Sequence, residues 1–153
     1  METKVEMNVT ANYDAACAQA MQLMKDGKNC CQAVLIAAGN AWKIELPAAF
    51  VDAAYYMGGG MQSGCACGAL SGMVMAAGLR EQTNPAPKGH KPGQELHDLF
   101  TKEFGASCCR VIRKKMGLAE KMGDKKCREL TGRTVVLLLK HLDDIDKNLS
   151  TPQ

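Results

Sequence analysis

The eight cysteines of this 153-residue chain are grouped. Seven of them fall in four short stretches: Asn29-Cys30-Cys31, Cys65-Ala66-Cys67-Gly68, Ser107-Cys108-Cys109 and Asp124-Lys125-Lys126-Cys127. Each stretch stands where a helix should begin. A helix start offers unpaired N–H groups and a partial positive charge, and both favour ionised sulfur. Should the four starts converge, they would form a pocket with four sulfurs and many N–H donors. Four cysteine thiolates are the ligand set of [2Fe–2S] and [4Fe–4S] clusters, and N–H donors to sulfur tune the potential. The same sulfurs could instead cycle between dithiol and disulfide, or hold zinc, copper or a metalloid.

Spacing narrows this chemistry. No Cys-x-x-Cys occurs, so neither a thioredoxin motif nor a zinc ribbon is supported, and covalent haem attachment is not either. Cys30-Cys31 and Cys108-Cys109 are vicinal pairs. Adjacent helical residues point about 100° apart, so only one of each pair can face a shared site. Cys17 lies in an apolar stripe and reads as a small core residue.

Other side chains carry weaker signals. His90 sits in a Pro/Gly loop, and His97 and His141 sit on helices; none reads as a metal ligand. Met73 and Met75, with Met57 and Met61, read as core filling rather than a copper(I) site. Arg110, Arg113, Lys114, Lys115, Lys121, Lys125, Lys126 and Arg128 form a basic run that is a solvated face or a dock for an acidic electron-transfer partner. Gly58-Gly59-Gly60 is not followed by the Gly-Lys-Ser/Thr of a phosphate loop.

The elements that must position the sulfurs are helices. Apolar residues recur at helical spacing from Thr10 to Lys25, and Gly27 ends that stripe. Asn29 is the expected N-cap of a helix to Trp42. A third helix follows Pro47 and runs to the triple glycine. A fourth starts around Ser63–Gly68 and continues to Leu79; being apolar nearly all round, it should be the buried centre. The loop 84–93 holds three of the five prolines. Helices are then expected from about Gln94 to Phe104, from Ser107 to Met116, and from near Asp124 to Asp146. Residues 1–9 read as a flexible arm, 10–147 as one helical domain and 148–153 as a tail. The expected class is all-α, a compact bundle of five to six helices with glycine-rich helix starts.

Composition sets the setting. Hydrophobic residues are 46% and aromatics 5%, so Ala, Leu, Met and Gly supply the packing. A net charge of +3 gives no nucleic-acid footprint. No apolar run reaches the roughly 18 residues that would suggest a membrane span. Met1 to Glu6 lacks a basic segment leading into an apolar run, so the expectation is a cytoplasmic protein with reduced cysteines. That in turn favours metal or redox chemistry over structural disulfides.

Several of these segments together resemble a family of redox-active proteins with four spread cysteines and a Cys-Gly-Ala-x-x-Gly motif. They are Asn29-Cys30-Cys31-Gln32-Ala33-Val34, Gly59-Gly60-Met61 leading to Cys67-Gly68-Ala69-Leu70-Ser71-Gly72, Glu103-Phe104-Gly105-Ala106-Ser107-Cys108-Cys109-Arg110, and Cys127. The resemblance spans about residues 12–145. A similar segment occurs in split-Soret cytochromes c, beside a haem part that this chain lacks. The resemblance implies that the family cysteines are Cys30, Cys67, Cys109 and Cys127, with Cys31, Cys65 and Cys108 as possible substitutes and Cys17 as a further extra. It implies a bound iron–sulfur cluster or redox activity. The expected protein is an electron carrier or redox partner more than an enzyme with its own substrate. The sequence leaves open whether the sulfurs meet within one chain or across a homodimer.

Overall fold

The computed structural model describes the backbone of residues 2–117 and 125–150 and the side chains of residues 12–117 and 125–148. Its helices are α1 (Glu2–Lys25), α2 (Cys30–Trp42), α3 (Ala48–Ala53), α4 (Gly68–Glu81), α5 (Pro92–Phe104), α6 (Cys109–Lys115) and α7 (Lys125–Ser150). The protein is all-α as expected; the described residues contain no strand, and none of their helices is long and apolar enough to cross a membrane. The N-terminal helix starts at Glu2 rather than Thr10. Nothing between them is a glycine or proline, so no residue there interrupts helical propagation. The last helix likewise continues past Asp146 to Ser150. The expected Asp124 start and Lys121 lie outside the described residues.

Five helices of 13 residues or more make the bundle. α2 packs on α4, α1 and α7; α1 lies along α7, and α5 closes the far side against α4 and α7. Leu35, Met73, Leu96, Phe100, Leu138 and Leu139 fill the centre. α4 is central but keeps one edge to solvent at Val74 and Gly78. Two crossings depend on the absence of a side chain. A Cβ on Gly72 of α4 would stand 2.7 Å from the Cys31 carbonyl oxygen of α2. A Cβ on Gly132 of α7 would stand 2.6 Å from the Cys17 sulfur of α1. Cys17 therefore serves the α1–α7 packing, as its place in the apolar stripe suggests.

The bundle fixes the start of α2 with unusual thoroughness. Asn29 and Gln32 form a reciprocal capping box: the Gln32 N–H donates to Asn29 Oδ1 at 2.9 Å, and the Asn29 N–H donates to Gln32 Oε1 at 3.2 Å. The spare amide groups reach outward. Asn29 Nδ2 donates to the carbonyls of Ala54 and Tyr55 at 3.1 and 2.7 Å, and Gln32 Nε2 donates to the Val51 carbonyl at 3.0 Å. α2 is thereby tied to α3 and to the 3-10 turn Tyr55–Met57 that leads into the glycines.

Those glycines do not begin a helix. Residues 58–67 form an irregular loop with a π-type turn at Gly60–Gly64, and α4 starts only at Gly68. Gly59, Gly60, Met61 and Gln62 are consecutive left-handed residues, with φ of 66°, 64°, 55° and 58°. A Cβ on Gly60 would lie 2.3 Å from the Cys65 nitrogen, so glycine is required there. The loop is held to the segment before α6 by the Cys67 N–H, which donates to the Ser107 carbonyl at 2.8 Å, and by Arg110 Nη2, which donates to the Ser63 carbonyl at 2.8 Å.

Candidate functional site

Cys30 is the first residue of α2, Cys67 the N-cap of α4, Cys109 the first residue of α6, and Cys127 lies in the first turn of α7. All four line one cavity of about 420 Å³. Its wall also includes Asn29, Gly58, Gly59, Gln62, Arg113 and Thr131. Four helix starts remote in sequence therefore meet within one chain. Each is aimed by a local device already described: the capping box for Cys30, the glycine loop for Cys67, and the Cys67–Ser107 backbone bond for Cys109. For Cys127, the Lys126 ammonium donates to the Met116 carbonyl at 2.9 Å and joins the start of α7 to the end of α6.

The cavity is built to take sulfur close to backbone. A Cβ on Gly68 would stand 2.4 Å from the Cys30 sulfur and 2.8 Å from the Met57 carbonyl oxygen. N–H groups point at the sulfurs: those of Gly59 and Cys31 at Cys30, and those of Ala69 and Leu70 at Cys67. Helix starts therefore supply the donors that the sequence predicts.

Their pull is outweighed, however, and the thiols of Cys30, Cys67 and Cys109 are raised. Burial pushes Cys67 up to about 12, and the neighbouring Cys30 and Cys109 sulfurs add to the rise. Cys30 is raised by burial and by the charges of Cys109 and Cys127, against the pull of its two N–H donors. Cys109 is raised by burial and by Cys108, opposed by Arg113. Desolvation and mutual repulsion of the sulfurs outweigh the helix dipole, which acts only over the first turn. Without a cation, Cys30, Cys67 and Cys109 are held as thiols rather than thiolates.

The other cysteines face elsewhere, and none of Cys31, Cys65 and Cys108 is among the cavity residues. Cys31 is fully buried between α2 and α4, with its sulfur 3.9 Å from that of Met75. Cys65 is exposed on the glycine loop. Its thiol is raised by a hydrogen bond with the Cys108 side chain, then by desolvation and the Cys108 charge, while Arg110 opposes. Both vicinal pairs thus divide, one sulfur facing the cavity and the other facing away.

The histidine and methionine candidates fall outside the cavity. His90 and His141 contact Glu95, and His97 contacts Asp98. Met73 is buried in the core, and Met61 is exposed. Arg113 of the basic run lines the cavity, and Gln62, Tyr55 and Thr131 join it without any signal in the sequence. Their positions follow from the left-handed loop and from the packing of α6 and α7. Among the described residues, no three His, Cys, Asp or Glu side chains converge tightly enough to hold a single metal ion. The four sulfurs surround a space instead.

Cys31 makes a pH prediction that needs no cofactor. Burial and the adjacent Cys30 raise its thiol from 9.0 to about 12. The unfolded chain therefore releases this proton first as pH rises. The Cys31 contribution to stability is complete below pH 9 and is lost as pH climbs toward 12, at about 1.4 kcal/mol per pH unit. Urea unfolding of the metal-free protein at pH 8, 9, 10 and 11 should show this decline. Cys31→Ala should flatten the decline by that amount, and an unchanged slope would show that Cys31 ionises normally.

Residues 28–141 match the family described as "Putative redox-active protein (C_GCAxxG_C_C)". No curated protein matches the chain, and no solved structure does.

Proposed function

The chain belongs to this redox-active family, and from that premise we propose that Cys30, Cys67, Cys109 and Cys127 hold an iron–sulfur cluster used for electron transfer or cluster handling. One observation carries the reading: four cysteines from four separate helix starts line the same cavity. The absence of a tight three-ligand group fits a cluster better than a single ion, because in a [4Fe–4S] cluster each cysteine binds a different iron. The cluster would supply one-electron chemistry. The protein's own residues would do the rest.

Gly58, Gly59 and Gly68 leave room beside the sulfurs. The N–H groups of Gly59, Cys31, Ala69 and Leu70 would stabilise negative charge on Cys30 and Cys67 and so set the potential. The raised thiols mean that loading releases protons, since iron takes thiolates. Arg110, Arg113 and Lys114 line a second hollow beside Cys109, with Gly59, Gln62 and Ser63. This positive rim suits docking of an acidic redox partner.

The test is anaerobic purification, followed by reconstitution with ferrous iron and sulfide. The expected product is brown, contains iron and acid-labile sulfide in equal amounts, and bleaches on reduction. A colourless, iron-free protein after reconstitution would remove the cluster reading. Electron paramagnetic resonance of the reduced protein then separates [2Fe–2S] from [4Fe–4S].

A further inference from the structure

Two cysteines remain that neither the core nor the cavity uses. Cys65 is exposed on the glycine loop, and Cys108 is half-buried at the N-cap of α6. Although 43 positions apart in the chain (108 minus 65), their side chains are neighbours across the junction of the glycine loop and the start of α6. Two clamps bracket them. On one side the Cys67 N–H donates to the Ser107 carbonyl at 2.8 Å; on the other, Arg110 Nη2 donates to the Ser63 carbonyl at 2.8 Å. Gly64 is pressed against the same arginine, where a Cβ would lie 3.1 Å from Arg110 Nε. The loop and the start of α6 are therefore held in register, with the two thiols between the clamps.

We propose that Cys65 and Cys108 form a surface dithiol–disulfide pair, separate from the four-cysteine cavity, that reacts with small-molecule disulfides. Cys65 is the exposed partner and attacks first. Its sulfur bonds to one sulfur of the small disulfide, whose S–S bond breaks and releases one small thiolate. The Cys108 sulfur then bonds to the Cys65 sulfur and displaces the second small thiolate. The protons of the two cysteines end on the two released thiols. Two electrons pass from the protein sulfurs to the small disulfide, and a small dithiol reverses the exchange.

The pair has a consequence for the neighbouring cavity. Cys67 follows Cys65 by two residues, and Cys109 follows Cys108 directly. Oxidation would tie covalently the two segments that carry those cavity cysteines, at a junction otherwise held by hydrogen bonds. The proposal does not depend on what the cavity binds.

Anaerobically reduced full-length protein, both iron-loaded and metal-free, is exposed to oxidised glutathione. Remaining thiols are alkylated, and tryptic peptides are mapped without reductant. Cleavage at Arg80 and Lys102 puts the two cysteines on different peptides, and fragmentation tells Cys65 from Cys67 and Cys108 from Cys109. The expected first product is a Cys65–Cys108 cross-link that dithiothreitol removes. Cys65→Ser and Cys108→Ser should each abolish it and leave a glutathione adduct on the surviving partner, with helical circular dichroism unchanged. Cys67→Ser should retain it. A first cross-link that joins other cysteines, or free Cys65 and Cys108 while other thiols oxidise, would overturn the proposal. If the cross-link forms in a protein that takes up no iron, the cluster reading fails and this one stands.

Discussion

Cys67→Ser should lower iron uptake at least about tenfold while leaving the helical content unchanged. Altering groups that merely orient a metal ligand costs roughly 10–100-fold in metal affinity, so losing a ligand should cost no less. The fold should not suffer, for a reason particular to this position. Cys67 is the N-cap of α4, and the N–H groups of Ala69 and Leu70 that face its sulfur are the ones a serine oxygen would cap. Serine is a favoured N-cap residue, and its oxygen accepts from the second or third N–H of the helix, worth about 1 kcal/mol. Cys67→Ser therefore separates the two roles: a helix at least as stable, and a cavity short of one thiolate. Cys30→Ser, Cys109→Ser and Cys127→Ser should also lose iron. Cys17→Ser and Cys65→Ser should keep it, because Cys17 packs against α7 and Cys65 lies outside the cavity. Iron and sulfide assays across these six variants, after identical reconstitution, check the assignment. Equal iron in Cys65→Ser and Cys67→Ser would show that the ligand set is wrong.

What was legible in the sequence was local. Each cavity cysteine stands in the first turn of a helix or at its cap. The signals for this are short-range: Asn29 before α2, the glycines before α4, and Ser107 before α6. The division of the vicinal pairs was half legible. Helical geometry requires Cys30 and Cys31 to diverge, but which of them turns inward depends on Met75 of α4 and Gly58–Gly59, far along the chain. The sequence places the start of α4 between Ser63 and Gly68, and it falls at Gly68, but the left-handed turn before it was not legible, because Met61 and Gln62 carry no composition signal. The loop that carries them is held through Cys67 and Ser63 to Ser107 and Arg110, 40 and 47 positions later. The direction of the thiol shifts was misjudged for a related reason. A helix dipole can be inferred from neighbours in sequence, whereas desolvation depends on the whole bundle. Arg113 and Gln62 entered the cavity wall in the same non-local way.

Two glycines of α4, four residues apart, should separate the stability of the bundle from the capacity of the cavity. In a helix interior, Gly→Ala ordinarily stabilises by about 1 kcal/mol, so any net loss must come from overlap. At Gly72 the obstacles are the Cys31 carbonyl oxygen at 2.7 Å and the Cys31 Cα at 3.1 Å, with Val34 Cβ also at 3.1 Å. Two of these are backbone atoms of α2, and a helix backbone cannot step aside alone. α2 and α4 must move apart, which opens the core around Val34, Leu35 and Met73. Gly72→Ala should therefore destabilise the protein by about 1–3 kcal/mol, the range for overpacked cores. At Gly68 the nearest obstacle is a side-chain atom, the Cys30 sulfur at 2.4 Å, with the Met57 carbonyl oxygen at 2.8 Å. A thiol can swing to another rotamer, and the Met57 carbonyl belongs to a short 3-10 turn rather than to a long helix packed in the core, so Gly68→Ala should lose less stability than Gly72→Ala. Swinging removes the Cys30 sulfur from its cavity position and from its N–H donors, so iron content should fall as far as in Cys67→Ser. Urea midpoints of the metal-free variants and iron content after reconstitution should thus rank the two glycines in opposite order. Full iron in Gly68→Ala would mean that the Cys30 sulfur need not stay where the fold puts it, and the four-cysteine ligand set would lose its best-positioned member.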